Sequence, residues 1–114
     1  MSIQLVIGPF IQAGESLSDA ADCRAGQPVR ITMPAKWDGD APLTFQVSTD
    51  NKMFNDLYNH LGEEVTVKVV PYSGVIVPPD YLRSVNFLKV RSGTHDAPVE
   101  QTELREFAIA IEYG

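Results

Sequence analysis

The chain reads as all-β: an antiparallel β-sandwich or jelly roll of about eight short strands. Three observations predict this. Apolar and polar residues alternate in run after run, as in Leu43-Thr44-Phe45-Gln46-Val47-Ser48, and a period of two is that of a strand with one buried face. Eight glycines and eight prolines punctuate those runs, in the manner of turns between short strands. With one exception, discussed below, apolar residues do not recur at helical spacing.

A length of 114 residues points to a single domain spanning 1–114, because domains commonly run to ~100–150 residues. A hydrophobic fraction of 44% is enough for a real core. Neither an internal repeat nor a linker interrupts the chain.

Taken in order, Ile3 to Ile7 is a short apolar strand that Gly8-Pro9 stops, with Phe10 and Ile11 either continuing it or beginning the next extended piece; an extended arm over residues 1–10 is the alternative. Gly14 to Asp22 reads as an irregular strand, too short in its apolar pattern for a helix capped by Ser16 or Ser18. Ala25-Gly26-Gln27 turns the chain, and Pro28 opens a strand in which Val29, Ile31 and Met33 share a face. Pro34 ends it. The loop up to Pro42 holds Trp37 and an Asp38-Gly39-Asp40 turn.

Leu43–Ser48 is the clearest strand. It forms a hairpin with Met53–Tyr58 across the polar run Thr49 to Lys52. This is where the exception lies: Met53, Phe54, Leu57 and Leu61 also fall at helical spacing, with Asp50 a good N-cap and Gly62 a good C′ residue. Helix and hairpin are nearly even here on pattern alone.

Val65, Val67 and Val69 predict a further strand, and Val75–Val77 a short one stopped by Pro78-Pro79. Asp80 to Arg83 reads as one helical or 3₁₀ turn with Tyr81 and Leu82 toward the core. In Asn86–Ser92, Leu88 and Val90 face inward while Lys89 and Arg91 take the solvated face. A polar loop from Gly93 leads to a last strand in which Phe107, Ile109 and Ile111 alternate with alanines.

The formal charge of −6 and isoelectric point near 4.7 argue against nucleic acid as the main partner, since phosphate binding needs concentrated Lys and Arg. The single cysteine, Cys23, allows no intrachain disulfide and reads as a small apolar filler near a strand end. No segment approaches the ~20 apolar residues of a membrane span. The N-terminal residues lack the features of a secretory signal, which predicts folding in a reducing cytoplasm.

Few residues invite chemistry. His60 and His95 have no second ligand at metal spacing, and His95-Asp96 could act as an acid–base pair only with a nucleophile that no motif supplies. Asp38, Asp40, Asp50, Asn51, Asn55 and Asp56 could serve calcium if two loops converged, but turn chemistry explains them more simply. Trp37 and Tyr72 are the candidate ligand-stacking rings, although a lone tryptophan more readily plugs the end of a core. No enzymatic activity, cofactor or metal is expected.

The segment LTFQVSTDNKMFNDLY followed by FLKVRSG resembles the discoidin-like (galactose-binding-like) jelly roll. More closely, the chain is similar to small virion structural proteins of tailed bacteriophages and prophages. These share the order GxSLSxAxD, MPAxW, LTFQVSxD, FxDLY, EV and YLKVRSGTxxAPVxQ. The matching residues are Gly14 to Ala20; Met33, Pro34, Ala35 and Trp37; Leu43 to Ser48 with Asp50; Phe54, Asp56, Leu57 and Tyr58; and Phe87 to Thr94 with Ala97, Pro98 and Gln101. The chain departs from the pattern at Asn59-His60-Leu61-Gly62, where relatives carry an Asp-Gly-type turn.

The resemblance implies a phage particle protein made in the host bacterial cytoplasm. It would act as a capsid decoration or cementing protein, or as a neck or tail component, and not as an enzyme. Its partners would be the major capsid protein or other virion proteins, and it would form a homo-oligomer or stand in many copies per particle. The 1–10 arm and residues 93–103 are the candidate contact segments, and removal of residues 1–9 is expected to leave the fold intact. The alternative is a carbohydrate-binding module of a receptor-binding apparatus using Trp37 and Tyr72.

Overall fold

A computed structural model describes residues 2–113. Eight strands run β1 (Ser2–Ile11), β2 (Ala21–Asp22), β3 (Gln27–Thr32), β4 (Leu43–Ser48), β5 (Asn55–Asp56), β6 (Gly74–Ile76), β7 (Phe87–Ser92) and β8 (Arg105–Tyr113). They form two four-stranded antiparallel sheets, ordered β1-β8-β3-β6 and β2-β7-β4-β5. Among the described residues there is no helix. The all-β sandwich is therefore as the alternation predicts.

The core is the space between the inner faces. From the first sheet come Ile31, Phe107, Ile109 and Ile111, and from the second Leu43, Phe45, Leu88 and Val90, each 1% exposed or less. Burying side chains of this kind stabilises the fold by about 1.5–3 kcal/mol each. The β4–β7 ladder pairs Leu43 with Ser92 and runs without a break to Ser48 and Phe87, so the inward set of each strand stays on one face. Cys23 follows β2 in the same core, fully buried, and burial pushes its thiol up to about 12. We expect Cys23 to resist a thiol reagent such as DTNB in the native protein at pH 8 and to react at once in denaturant; fast native labelling would contradict this packing.

Several expected elements differ. The second hairpin arm shrinks to Asn55–Asp56, paired with Gln46 and Val47, and no helix forms over 50–62. The helical end signals are both turn chemistry. Asp50 Oδ1 accepts from the N–H groups of Lys52 and Met53 at 2.9 and 3.1 Å, as an N-cap would, but the chain then enters β5. Gly62 closes a turn in which Asn59 Oδ1 accepts from Leu61 and Glu63.

The strand expected at Val65–Val69 is not one either. Val65 and Val67 do face the core, but Asn55 to Leu57 already occupy the outer edge of β4 along Phe45 to Val47. Only a bridge between Leu43 and Val67 remains. Of Gly14–Asp22 only Ala21–Asp22 is a strand, with Leu17 bridged to Arg91. Asp80–Arg83 forms no helical turn; the Tyr81 N–H closes a turn on the Pro78 carbonyl, and the segment buries Leu82 while Tyr81 stays exposed.

The N-terminal segment is not a free arm. It runs as β1 beside β8, from Ser2 opposite Tyr113 to Ile11 opposite Arg105. The register slips between Ile7 and Phe10, where Gly8 takes a φ of 108° that glycine tolerates without steric cost. Removing residues 1–9 would strip one edge of β8, so the fold is not expected to survive that truncation unharmed.

Candidate functional site

Among the described residues, the largest cluster of ion-paired side chains lies on the outward face of the second sheet, around Arg91. Arg91 stands opposite Thr44 in the β4–β7 ladder. By alternation both should be solvated, yet Arg91 is 7% exposed and Thr44 fully buried. The reason is tertiary: the chain after β5 and the loop after β7 both fold across this face.

Each carries partners for the guanidinium. Asp56 Oδ1 lies 2.5 Å from Arg91 Nη2, and Glu64 Oε2 lies 3.2 Å from Nη1. Thr44 Oγ1 is 3.4 Å from the same Nη1 and donates to the Gly93 carbonyl at 2.7 Å. Gln46 Nε2 donates to Asp56 Oδ1 at 3.2 Å. On the outer side, His95 Nδ1 is 2.7 Å from Asp56 Oδ2. The His95 backbone N–H donates to the Glu64 carboxylate at 3.0 Å. The carboxylate beside the His95 ring is thus Asp56 and not the adjacent Asp96.

Burial pushes the Asp56 carboxyl up. The hydrogen bonds from Arg91 and Gln46, and the charges of Arg91 and His95, outweigh it and hold the group below its ordinary range. Tyr58 is pushed up, first by burial and then by the negative charges of Glu64, Asp56 and Asp96.

Chemically this is a clamp. Both ends of the guanidinium are taken by carboxylates, so it offers no vacant fork to an external anion. Among the described residues no hydroxyl or thiol hydrogen-bonds to the His95 ring, leaving it without the nucleophile that an acid–base pair would need. What the cluster joins is β7, β5, the Glu64 crossing and the loop after β7.

A second polar network braces the same end of the sandwich. Gln101 is fully buried. Its Nε2 donates to Ser92 Oγ at 2.8 Å, and its Oε1 accepts from Asp38 N–H and Arg105 Nε at 3.0 and 2.9 Å. Its backbone accepts from Gly14 and donates to Glu15. Every buried side-chain polar atom among the described residues has a partner, as a stable interior requires.

The two expected stacking rings part company. Trp37 is half-buried, its ring 5.7 Å from Phe107 at 74°, and its indole N–H donates to the Ala41 carbonyl at 2.9 Å. It plugs the end of the core. Tyr72 is 81% exposed in the turn before β6, its N–H bonded to the Pro34 carbonyl. An open cleft of about 380 Å³ lies elsewhere, between the Ser48–Met53 turn and Arg83–Asn86, and neither ring lines it.

The acidic loops also stay apart. Asp50 is spent on its own turn, and Asp38 on Thr102 and Arg105. Among the described residues, no three His, Cys, Asp or Glu side chains gather as metal ligands would. Sequence reasoning missed the Arg91 clamp and the Gln101 hub. Alternation gave no signal for either, since it put Arg91 on a solvated face beside Lys89; only the phage-like motifs singled out Asp56, Arg91, Ser92 and Gln101.

Comparison with family models, with curated proteins and with solved structures gave no match.

The carboxylates set the expected pH response. Arg24 holds Asp22 down to about 2, backbone N–H groups lower Asp38 and Asp50, and Asp56 is lowered as described. A carboxyl whose folded value lies below its unfolded one stabilises above the unfolded value, near pH 4, and loses that contribution as pH falls through the folded value. Urea midpoints should therefore fall from about pH 4 down to about pH 2, and Asp56→Asn should flatten that slope. A midpoint constant down to pH 2 would contradict these assignments.

Proposed function

We propose that the chain is a structural protein of a tailed-phage particle, a capsid decoration or head-associated component that works through surfaces and not through catalysis. One observation carries this reading: several residues of the phage-like motifs brace the loops. Asp56 and Arg91 form the clamp, and Ser92 and Gln101 form the hub. Ser18 Oγ accepts from the Val90 N–H at 2.8 Å, and at Gly93, with a φ of 90°, a Cβ would lie only 2.5 Å from the Ala97 carbonyl oxygen, so the loop closes too tightly for any side chain there. Residues that hold loops rigid serve a protein whose loops and edges are themselves the contact surface.

In this reading the partners are the major capsid protein or other virion proteins, and the place of action is the virion. The carbohydrate-binding alternative has less to work with, since Trp37 leans on Phe107 and leaves Tyr72 as the exposed ring of the pair. Mass spectrometry of purified particles is the direct test. The chain should be present in a fixed, multi-copy ratio to the coat protein and should survive a salt wash. Its absence from washed particles would overturn the proposal, and a specific signal on a glycan array would favour the alternative.

A further inference from the structure

We propose that two copies of this chain pair edge to edge through β1, antiparallel about a two-fold axis near Leu5. The first sheet would then continue from one copy into the other.

The four sheet edges are unequal. β2 and β5 have two residues each and β6 has three, whereas β1 has ten. Very short edge strands are one way proteins avoid edge pairing, and charged residues or proline are another. Ser2 to Gly8 has neither: it contains no Asp, Glu, Lys, Arg or Pro. Among the described residues, Ser2 to Ile7 form no hydrogen bonds beyond those to β8. The free stretch has a definite end, because Pro9 lacks an N–H and Phe10 exchanges hydrogen bonds with Asp19 at 2.8 and 3.2 Å.

The same strand carries an uncovered apolar row. Ile3, Leu5 and Ile7 lie on the outward face at 55, 54 and 61% exposure, opposite Glu112, Ala110 and Ala108 of β8. The small alanines leave the row standing proud. An open groove of about 610 Å³ runs along the same stretch, between Gln4, Leu5 and Val6 on one side and Ala25 with the Asp22–Arg24 ion pair on the other.

An occupant must therefore supply an extended backbone and, on one face, apolar side chains at a spacing of two. An identical strand supplies both. Centred on Leu5, antiparallel pairing sets each Ile3 against the second copy's Ile7 and Leu5 against its counterpart, all on the outward face. Charge favours the same contact. The chain carries −6, so most copy-to-copy contacts would set acid against acid, while this edge is uncharged. A two-fold pairing also closes on itself and stops at the dimer.

Sedimentation equilibrium of the purified chain, from micromolar to sub-millimolar concentration, tests this. The expected mass is twice 12.6 kDa. Leu5→Lys places two positive charges against each other across the axis, and should weaken the dimer at least about tenfold with an unchanged circular dichroism spectrum. Leu5→Cys should cross-link copies under mild oxidation, whereas Ile76→Cys, equally outward on β6, should not. A wild-type chain that is monomeric throughout, or a dimer indifferent to Leu5→Lys, would overturn the pairing. The measurement uses no particles. A monomer here leaves the virion reading standing, and absence from particles leaves the dimer standing.

Discussion

Replacing Arg91 with alanine should lower the stability of this protein by about 3–5 kcal/mol, the usual cost of removing one partner from a buried ion pair. The alanine would leave Asp56 and Glu64, with side chains 18% and 15% exposed, facing each other across the place of their shared cation. Gln46 and His95 still reach Asp56, which offsets part of the loss. Glu64 keeps only the backbone N–H of His95. Domains of this size are stable by only about 5–15 kcal/mol, so the urea midpoint should move far. Arg91→Lys should fall between, because an ammonium keeps the charge but cannot fork to two carboxylates. Combining Arg91→Met with Asp56→Asn and Glu64→Gln should recover stability relative to Arg91→Ala, since the cost lies mainly in the stranded charges. A midpoint for Arg91→Ala within about 1 kcal/mol of wild type would show that the cluster does not hold the crossing chain down.

The other large effect is expected at Phe107. Its side chain is 1% exposed and meets Trp37 in a T-shaped contact, so it closes the core at the end where the braced loops meet. Phe107→Ala should cost about 3–5 kcal/mol through lost burial and the cavity left behind. The chain has one tryptophan, so its fluorescence reports this contact alone. Emission should shift to the red in Phe107→Ala as Trp37 gains water, and Phe107→Leu should show a smaller change in both readouts. A destabilised variant with unshifted emission would mean that Trp37 is held by Ala41 and its loop and not by the ring beneath it.

Stability and the proposed pairing of copies should be separable. The Arg91 and Phe107 variants act on the interior and on the braced end. Leu5 lies at 54% exposure on an edge strand, and its replacement should change association while sparing the fold. Together the three positions divide what holds one copy together from what is proposed to hold two.

Alternation was enough to find β3, β4, β7 and β8, because each buries one face and a strand's side chains alternate whatever surrounds it. It also identified the inward sets, Leu43, Phe45, Leu88, Val90, Phe107, Ile109 and Ile111, all of them core residues. Burial without pairing is where it fell short. Val65 and Val67 have the pattern of a strand and the burial of one, but pairing depends on a vacant edge, and Asn55 to Leu57 had taken it.

The segment 50–62 shows the same limit at a finer scale. Asp50 accepts hydrogen bonds from Lys52 and Met53 as it would at a helix start, and local chemistry cannot say whether a helix follows. That was decided by β4, which offered its edge. The solvated face expected for Arg91 was reversed by two segments distant in sequence that bring Asp56, Glu64 and His95 over it. The sequence by itself determined which residues turn inward, because that is a property of each strand. Only the tertiary structure decided which outward residues are covered, because covering depends on where the rest of the chain goes.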